Sequence, residues 1–267
     1  MTVADVGAVS LGGDSPGGVA VLRGSRLPVG VAVLPHGAAG LLGVVWQVRP
    51  LLRTGAYGEW GDGTSGDAAA WLTPLVGGVF QLRALVSDDV GGVAVRQYAW
   101  AADEDTTVGF RRRGDSRSFG VADERWQLDL LASARAHLGL GGYGYDDDYP
   151  AQYGFASVPP TAWKCNIFVA HRICEIGLKV PALHSRLLLW GLPPLANEWA
   201  GSTRIEGWAH AWGNPQPGWV IAHPNSLGSG HVGIVDFDGV GIAAGKKIVN
   251  RKYEDWLDGS STYRRKE

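Results

Sequence analysis

Cysteine is nearly absent, with 2 residues in a chain of 267. A disulfide framework is excluded at that count. Cys165 and Cys174 fall nine residues apart in one stretch that reads as helix. Nine helical steps put them on opposite faces with a rise of roughly 13 Å, too far to bridge. Both are expected as free thiols. No second Cys or His pair stands at ligand spacing, so no metal is expected. Positive charge is not in excess either: Lys+Arg number 24 against 26 Asp+Glu, a net charge of -2. That excludes a chain built to coat nucleic acid or to bind membranes through a polybasic patch. No apolar run reaches about 18 residues, so no membrane-spanning helix is expected. Met1 to Asp5 lacks a basic start and an apolar core, so no secretory signal is read there. Cytoplasmic synthesis and delivery by a route other than Sec are the expectation. Lysine is missing before Lys164, which we read as composition rather than function.

What remains is rich in Gly (40) and Trp (12), and 45% hydrophobic. At about 150 residues per domain the length suggests two domains, each with room for a core. Residues 1–105 read as β structure. Short apolar or alternating runs recur at Val19 to Leu22, Val29 to Leu34, Leu41 to Val48, Val79 to Val86 and Val93 to Ala101. Turn clusters such as Gly61-Asp62-Gly63 separate them. The spacing predicts an immunoglobulin-like sandwich with Val79 to Tyr98 as its last hairpin. Residues 106–122, next to the Asp103-Glu104-Asp105 run and containing Arg111-Arg112-Arg113, read as a linker. Residues 123–267 form the second unit. A helix is capped near Asp123 and ended by Gly139, and a second helix runs from about Ala162 to Ile176. Strands are predicted at Trp219 to Ala222, His231 to Asp236, Gly241 to Ala244 and Lys247 to Arg251. The fold class is therefore α+β.

The chemistry-bearing residues are Cys165 and His231. Cys165 falls in the first helical turn after Pro159-Pro160-Thr161, where the positive helix end favours a thiolate. His231 follows Gly228-Ser229-Gly230 and opens an apolar strand, which places it at a strand end. A helix-borne Cys and a later strand-borne His form the arrangement in which imidazole takes the thiol proton. Rapid, selective alkylation of Cys165 near neutral pH is the expectation for such a site. Cys174, in mid-helix, reads as a small buried hydrophobe. His171, His210 and His223 read as structural or surface residues.

Three segments carry a resemblance. Trp163-Lys164-Cys165-Asn166-Ile167-Phe168-Val169 resembles the catalytic-helix motif of NlpC/P60- and CHAP-like amidases. Pro217 to Ala222 followed by Gly230 to Val235 resembles the two strands that carry their His. Pro194-Leu195-Ala196-Asn197-Glu198-Trp199-Ala200 is similar to the linking segment of such domains in interbacterial toxins. The resemblance spans roughly residues 124–260 and departs at Gly218-Trp219, where Gly-Asp is usual. It implies a papain-like fold that hydrolyses amide bonds of cell-wall peptides, with Cys165 as nucleophile, His231 as base and no cofactor. It implies a third group that orients His231. Asn250 is the choice, with Asp236 set on the opposite strand face and Asp238 in a turn. Tyr153 resembles the tyrosine that helps hold the oxyanion, alongside the Cys165 N–H. The implied partners are peptidoglycan, an immunity protein and a component of a type VI secretion apparatus, with action in the periplasm of a target bacterium. A phage-type endolysin and a non-enzymatic carbohydrate- or wall-binding protein are the alternatives. Five of the 12 Trp lie between Cys165 and His231: Trp190, Trp199, Trp208, Trp212 and Trp219. Flat amphipathic rings suit sugars and stem peptides, so this segment is expected to wall the cleft, with Trp199 and Trp208 binding substrate.

Overall fold

The computed structural model describes residues 5–11, 19–34, 41–67, 69–88, 93–97, 118–183, 191–225, 230–237, 239–252 and 260–267. The acidic and arginine runs between 103 and 113, Trp190 and Asp238 lie outside them. The described chain is α+β, with three sheets and three helices.

The front half contains two of the sheets. β1 (Asp5–Leu11), β3 (Leu27–Leu34) and β6 (Ala69–Leu72) form one, in the order β1-β3-β6. The other runs β2-β9-β7-β4-β5, from β2 (Val19–Leu22), β9 (Ser118–Ala122), β7 (Gly78–Asp88), β4 (Leu41–Pro50) and β5 (Thr64–Gly66). β8 (Val93–Gln97) joins the second sheet on β7 as the expected antiparallel hairpin. Leu27 and Val29 from the first sheet pack with Val44, Trp46, Leu82, Ala84, Phe119 and Val121 from the second, giving one shared core. β9 lies partly inside the predicted linker. Its Phe119 and Val121 are buried here, and it pairs in parallel with β2. The front unit therefore extends to residue 122 and reaches the next helix without a spacer.

The third sheet runs β10-β15-β11-β12-β13-β14, with every neighbour antiparallel. Its strands are β10 (Trp208–His210), β11 (Val220–His223), β12 (His231–Val235), β13 (Gly241–Ala244), β14 (Val249–Lys252) and β15 (Thr262–Lys266). Alternation gives it two apolar faces. Val220, Ala222, Val232, Ile234, Ile242, Ala244 and Val249 face α2 (Cys165–Glu175), while Trp219, Ile221, Val235, Ala243 and Tyr263 pack on the other side. α2 is buried from Cys165 through Ile173, as a helix enclosed on all sides must be. α1 (Arg125–Ala136) lies against it through Leu130, Leu131 and Ala134. The α1 cap is Glu124, within the expected neighbourhood of Asp123: its N–H donates to Gln127 Oε1 at 2.7 Å.

Two polar devices fix the third sheet. Arg264 is buried on β15 and donates to five carbonyls around α3 (Ala196–Ala200), including Thr203 O at 2.7 Å and Gly201 O at 2.8 Å. Asp236, fully buried at the end of β12, meets Arg251 at 3.2 Å and Arg135 of α1 at 3.5 Å. It faces α1, on the face opposite to His231 as alternation requires.

Gly218 turns the chain into β11 with φ +81°, and a Cβ there would stand 2.1 Å from the Gln127 carbonyl oxygen. Backbone cannot yield as a flexible side chain does. Gly218→Ala is expected to cost at least about 2 kcal/mol of stability, measured by urea unfolding against wild type.

Candidate active site

Cys165 is the first residue of α2 and its side chain is 3% exposed. The sulfur faces the backbone N–H groups of Val232, Asn166 and Cys165 itself. Two of these belong to the helix N-terminus, whose amides have no partner within the helix. The third belongs to the residue after His231. The sulfur therefore meets β12 at the peptide that joins His231 to Val232, across 66 residues of sequence that only the fold closes.

Burial pushes the Cys165 thiol above its ordinary range, and the three N–H groups only partly offset it. This corrects the expected thiolate: desolvation outweighs the helix end, so the resting group is a thiol. It also reverses the expected labelling order. Cys174 is only half-buried, so iodoacetamide should modify Cys174 first in the native protein. Cys165 should follow more slowly without unfolding, as peptide mapping by mass spectrometry would show.

His231 opens β12 opposite His223 of β11. It follows Gly230, where φ is +70° and a Cβ would stand 2.4 Å from Asn197 Oδ1 and 2.7 Å from the His223 carbonyl oxygen. Only glycine fits that turn. Asn197 of α3 braces the same loop. Its Oδ1 accepts the Asn225 N–H at 3.0 Å and its Nδ2 donates to the Asn225 carbonyl at 3.1 Å. Alternation places His231 with Gly233 and Val235, on the face away from the bulk of α2. The described link between the Cys165 sulfur and His231 is thus the Val232 N–H, at the start of β12.

Asn250 shares the His231 face, since it pairs with Ala243. The β12–β13 register, carried past Ile234↔Ile242, reaches Gly245 opposite His231. A Cβ on Gly245 would stand 3.0 Å from Asn250 Oδ1. That oxygen is buried and accepts from no donor among the described residues. An acceptor in that state suits an imidazole N–H.

The other expected site residues are placed elsewhere. Trp199 is 0% exposed and meets Trp208 edge-on at 5.5 Å. Trp208 is also buried and donates its indole N–H to the Lys179 carbonyl at 3.0 Å. Both are core residues with no face for a ligand, so their expected substrate contacts are corrected. Tyr153 is exposed, in a left-handed conformation with φ 53°, and its ring sits edge-on to His171 at 5.1 Å. His171 is six residues beyond Cys165, about 9 Å along the helix and about 240° around it. Tyr153 is therefore not brought to the sulfur. It lines an open groove of about 600 Å³ formed by residues 151–156 and Gly191.

One residue beside Cys165 had no expected role. Lys164, buried at the α2 N-cap, donates to the Ala162 carbonyl at 2.9 Å, Gly144 at 3.1 Å and Tyr145 at 3.4 Å. Tyr145 N–H in turn donates to the Lys246 carbonyl at 2.7 Å, between β13 and β14. Lys164 so ties the start of α2 to the end of the sheet that carries Asn250. A lone lysine beside a cysteine is the only signal in sequence, and it does not reveal three carbonyls.

No protein-family model and no curated protein matches the chain. Among the described residues no helix is long and apolar enough to cross a membrane.

Proposed function

We propose that this chain is a cysteine-dependent amidase of papain-like fold that hydrolyses amide bonds of bacterial cell-wall peptides. The observation that carries the reading is the Cys165 sulfur at the start of α2, held against the N–H of the residue that follows His231. Asn250, with its buried acceptor on the His231 face, supports it as the orienting group. The segments resembling NlpC/P60- and CHAP-like amidases supply the substrate class.

The raised thiol pKa sets the order of events. His231 takes the Cys165 proton as the sulfur attacks the amide carbonyl, forming the C–S bond and a tetrahedral oxyanion. In this reading the N–H groups of Cys165 and Asn166, which face the sulfur at rest, receive that charge. Collapse breaks the C–N bond, and imidazolium gives its proton to the leaving amine. Water, deprotonated by His231, then cleaves the thioester to a carboxylate and restores the thiol. The front unit is read as an immunoglobulin-like docking domain. Delivery as a type VI secretion effector to a target periplasm, with an immunity protein closing the Cys165 cleft, completes the reading.

The test is dye release from labelled sacculi. Wild type should release soluble fragments and His231→Ala should not. Equal release by the two proteins removes His231 from the mechanism.

A further inference from the structure

The Trp-rich segment is not spent on the core alone. Trp212 is 80% exposed, yet it is held in place. The Arg53 guanidinium lies 5.4 Å from its ring centre, and the His210 ring lies 6.2 Å away, tilted by 37°. Arg53 is itself fixed by a 3.0 Å hydrogen bond to the Ala211 carbonyl, next in the chain. An indole ordered at the surface with most of its area open is a platform rather than a stray apolar residue. It borders a cavity of about 210 Å³ lined by Asp123, His210, Trp212, Gln216, Trp219 and Arg265.

The polar groups of this cavity are oriented before any ligand arrives. Gln216 Nε2 donates to Asp123 Oδ2 at 2.8 Å, and Gln216 Oε1 accepts from Gln127 at 3.0 Å. Asp123 also meets Arg23 at 3.1 Å. A carboxylate and a primary amide held side by side offer an acceptor and a donor at fixed spacing. The cavity lies next to Trp219, whose carbonyl accepts the Val235 N–H. It is thus at the far end of β12 from His231, roughly 13 Å away along the strand.

We infer that this cavity is a binding site for one pyranose ring of a neutral sugar. The indole of Trp212 suits the apolar C–H face of a pyranose, and Asp123 and Gln216 suit its neighbouring hydroxyls. The volume holds a single ring. Asp123 and Arg265 both line the cavity and neither sign of charge dominates it, which suits a neutral ligand. The site stands independently of the thiol chemistry and uses none of its residues.

Calorimetric titration of the full chain with N,N′-diacetylchitobiose, maltose and AMP tests it. At least one sugar should bind saturably, and Trp212→Ala should weaken it by at least about tenfold. Trp71→Ala, which removes an exposed indole of the front unit, and Cys165→Ala should bind as wild type. In wild type labelled with ¹⁵N, the sugar should shift the indole signals of Trp212 and Trp219 and leave that of Trp71 in place. Absence of saturable sugar binding, unchanged affinity in Trp212→Ala, or preference for AMP would overturn the inference. Absence of sacculus cleavage by wild type, with sugar binding intact, would count against the amidase alone.

Discussion

Cys165→Ala should abolish fragment release from sacculi, a fall of at least about 10³-fold, while the protein stays folded. The sulfur is the only atom that forms a covalent bond to substrate in the proposed sequence, so nothing substitutes for it. The structural cost is small, because a buried thiol contributes as a small hydrophobe. A loss of about 1 kcal/mol is expected, a few degrees in Tm for a chain of this size. The double variant with His231→Ala should be no slower than Cys165→Ala alone. Nucleophile and base act as one unit, and removing the second member of a broken unit removes nothing more. Multiplicative losses would mean that the two residues work in separate steps.

Acid should unfold this protein through His171. Its ring is 1% exposed and accepts no charge readily, with Arg172 beside it. Burial, then that neighbouring cation, pushes its pKa down from 6.5 to about 4. Tyr149 Oη lies 2.7 Å from Nδ1, in a cluster with Tyr143 and Arg172. The unfolded chain takes a proton near pH 6.5, and the folded chain does not until about pH 4. Stability is therefore complete above 6.5 and is lost as pH falls from there to 4, by about 3 kcal/mol in all. Urea midpoints at pH 7, 5.5 and 4.5 would show the decline. A His171→Phe variant should flatten it in that window. A midpoint independent of pH between 6.5 and 4 would mean that the native state accommodates imidazolium.

Strands with clear alternation were legible in the sequence. Val19–Leu22 and Gly241–Ala244 match their expected bounds, and β3, β4 and β7 extend theirs by a few residues. β5 is exposed throughout and β15 carries Arg264-Arg265-Lys266, so neither shows an apolar period to read. β9 was missed because it pairs in parallel with β2 about 100 residues earlier, a non-local pairing that no local pattern announces. The position of Cys165 at a helix start was legible from the turn before it. Its protonation was not, because burial depends on the sheet packed over it. The tryptophans show the same limit: Trp199 and Trp212 are thirteen residues apart in one biased segment, yet one is core and the other is open surface. Composition located the cluster, and only the fold sorted its members: Trp199 lies buried on α3 and Trp212 lies exposed just after β10.

The most direct measurement is mass spectrometry of sacculus digests run in H₂¹⁸O. The proposed chemistry predicts fragments with a new peptide amine and a new carboxylate that carries one ¹⁸O per cut, absent from the Cys165→Ala digest. Fragments cut in the glycan chain, or the same labelled peptides from Cys165→Ala, would contradict it.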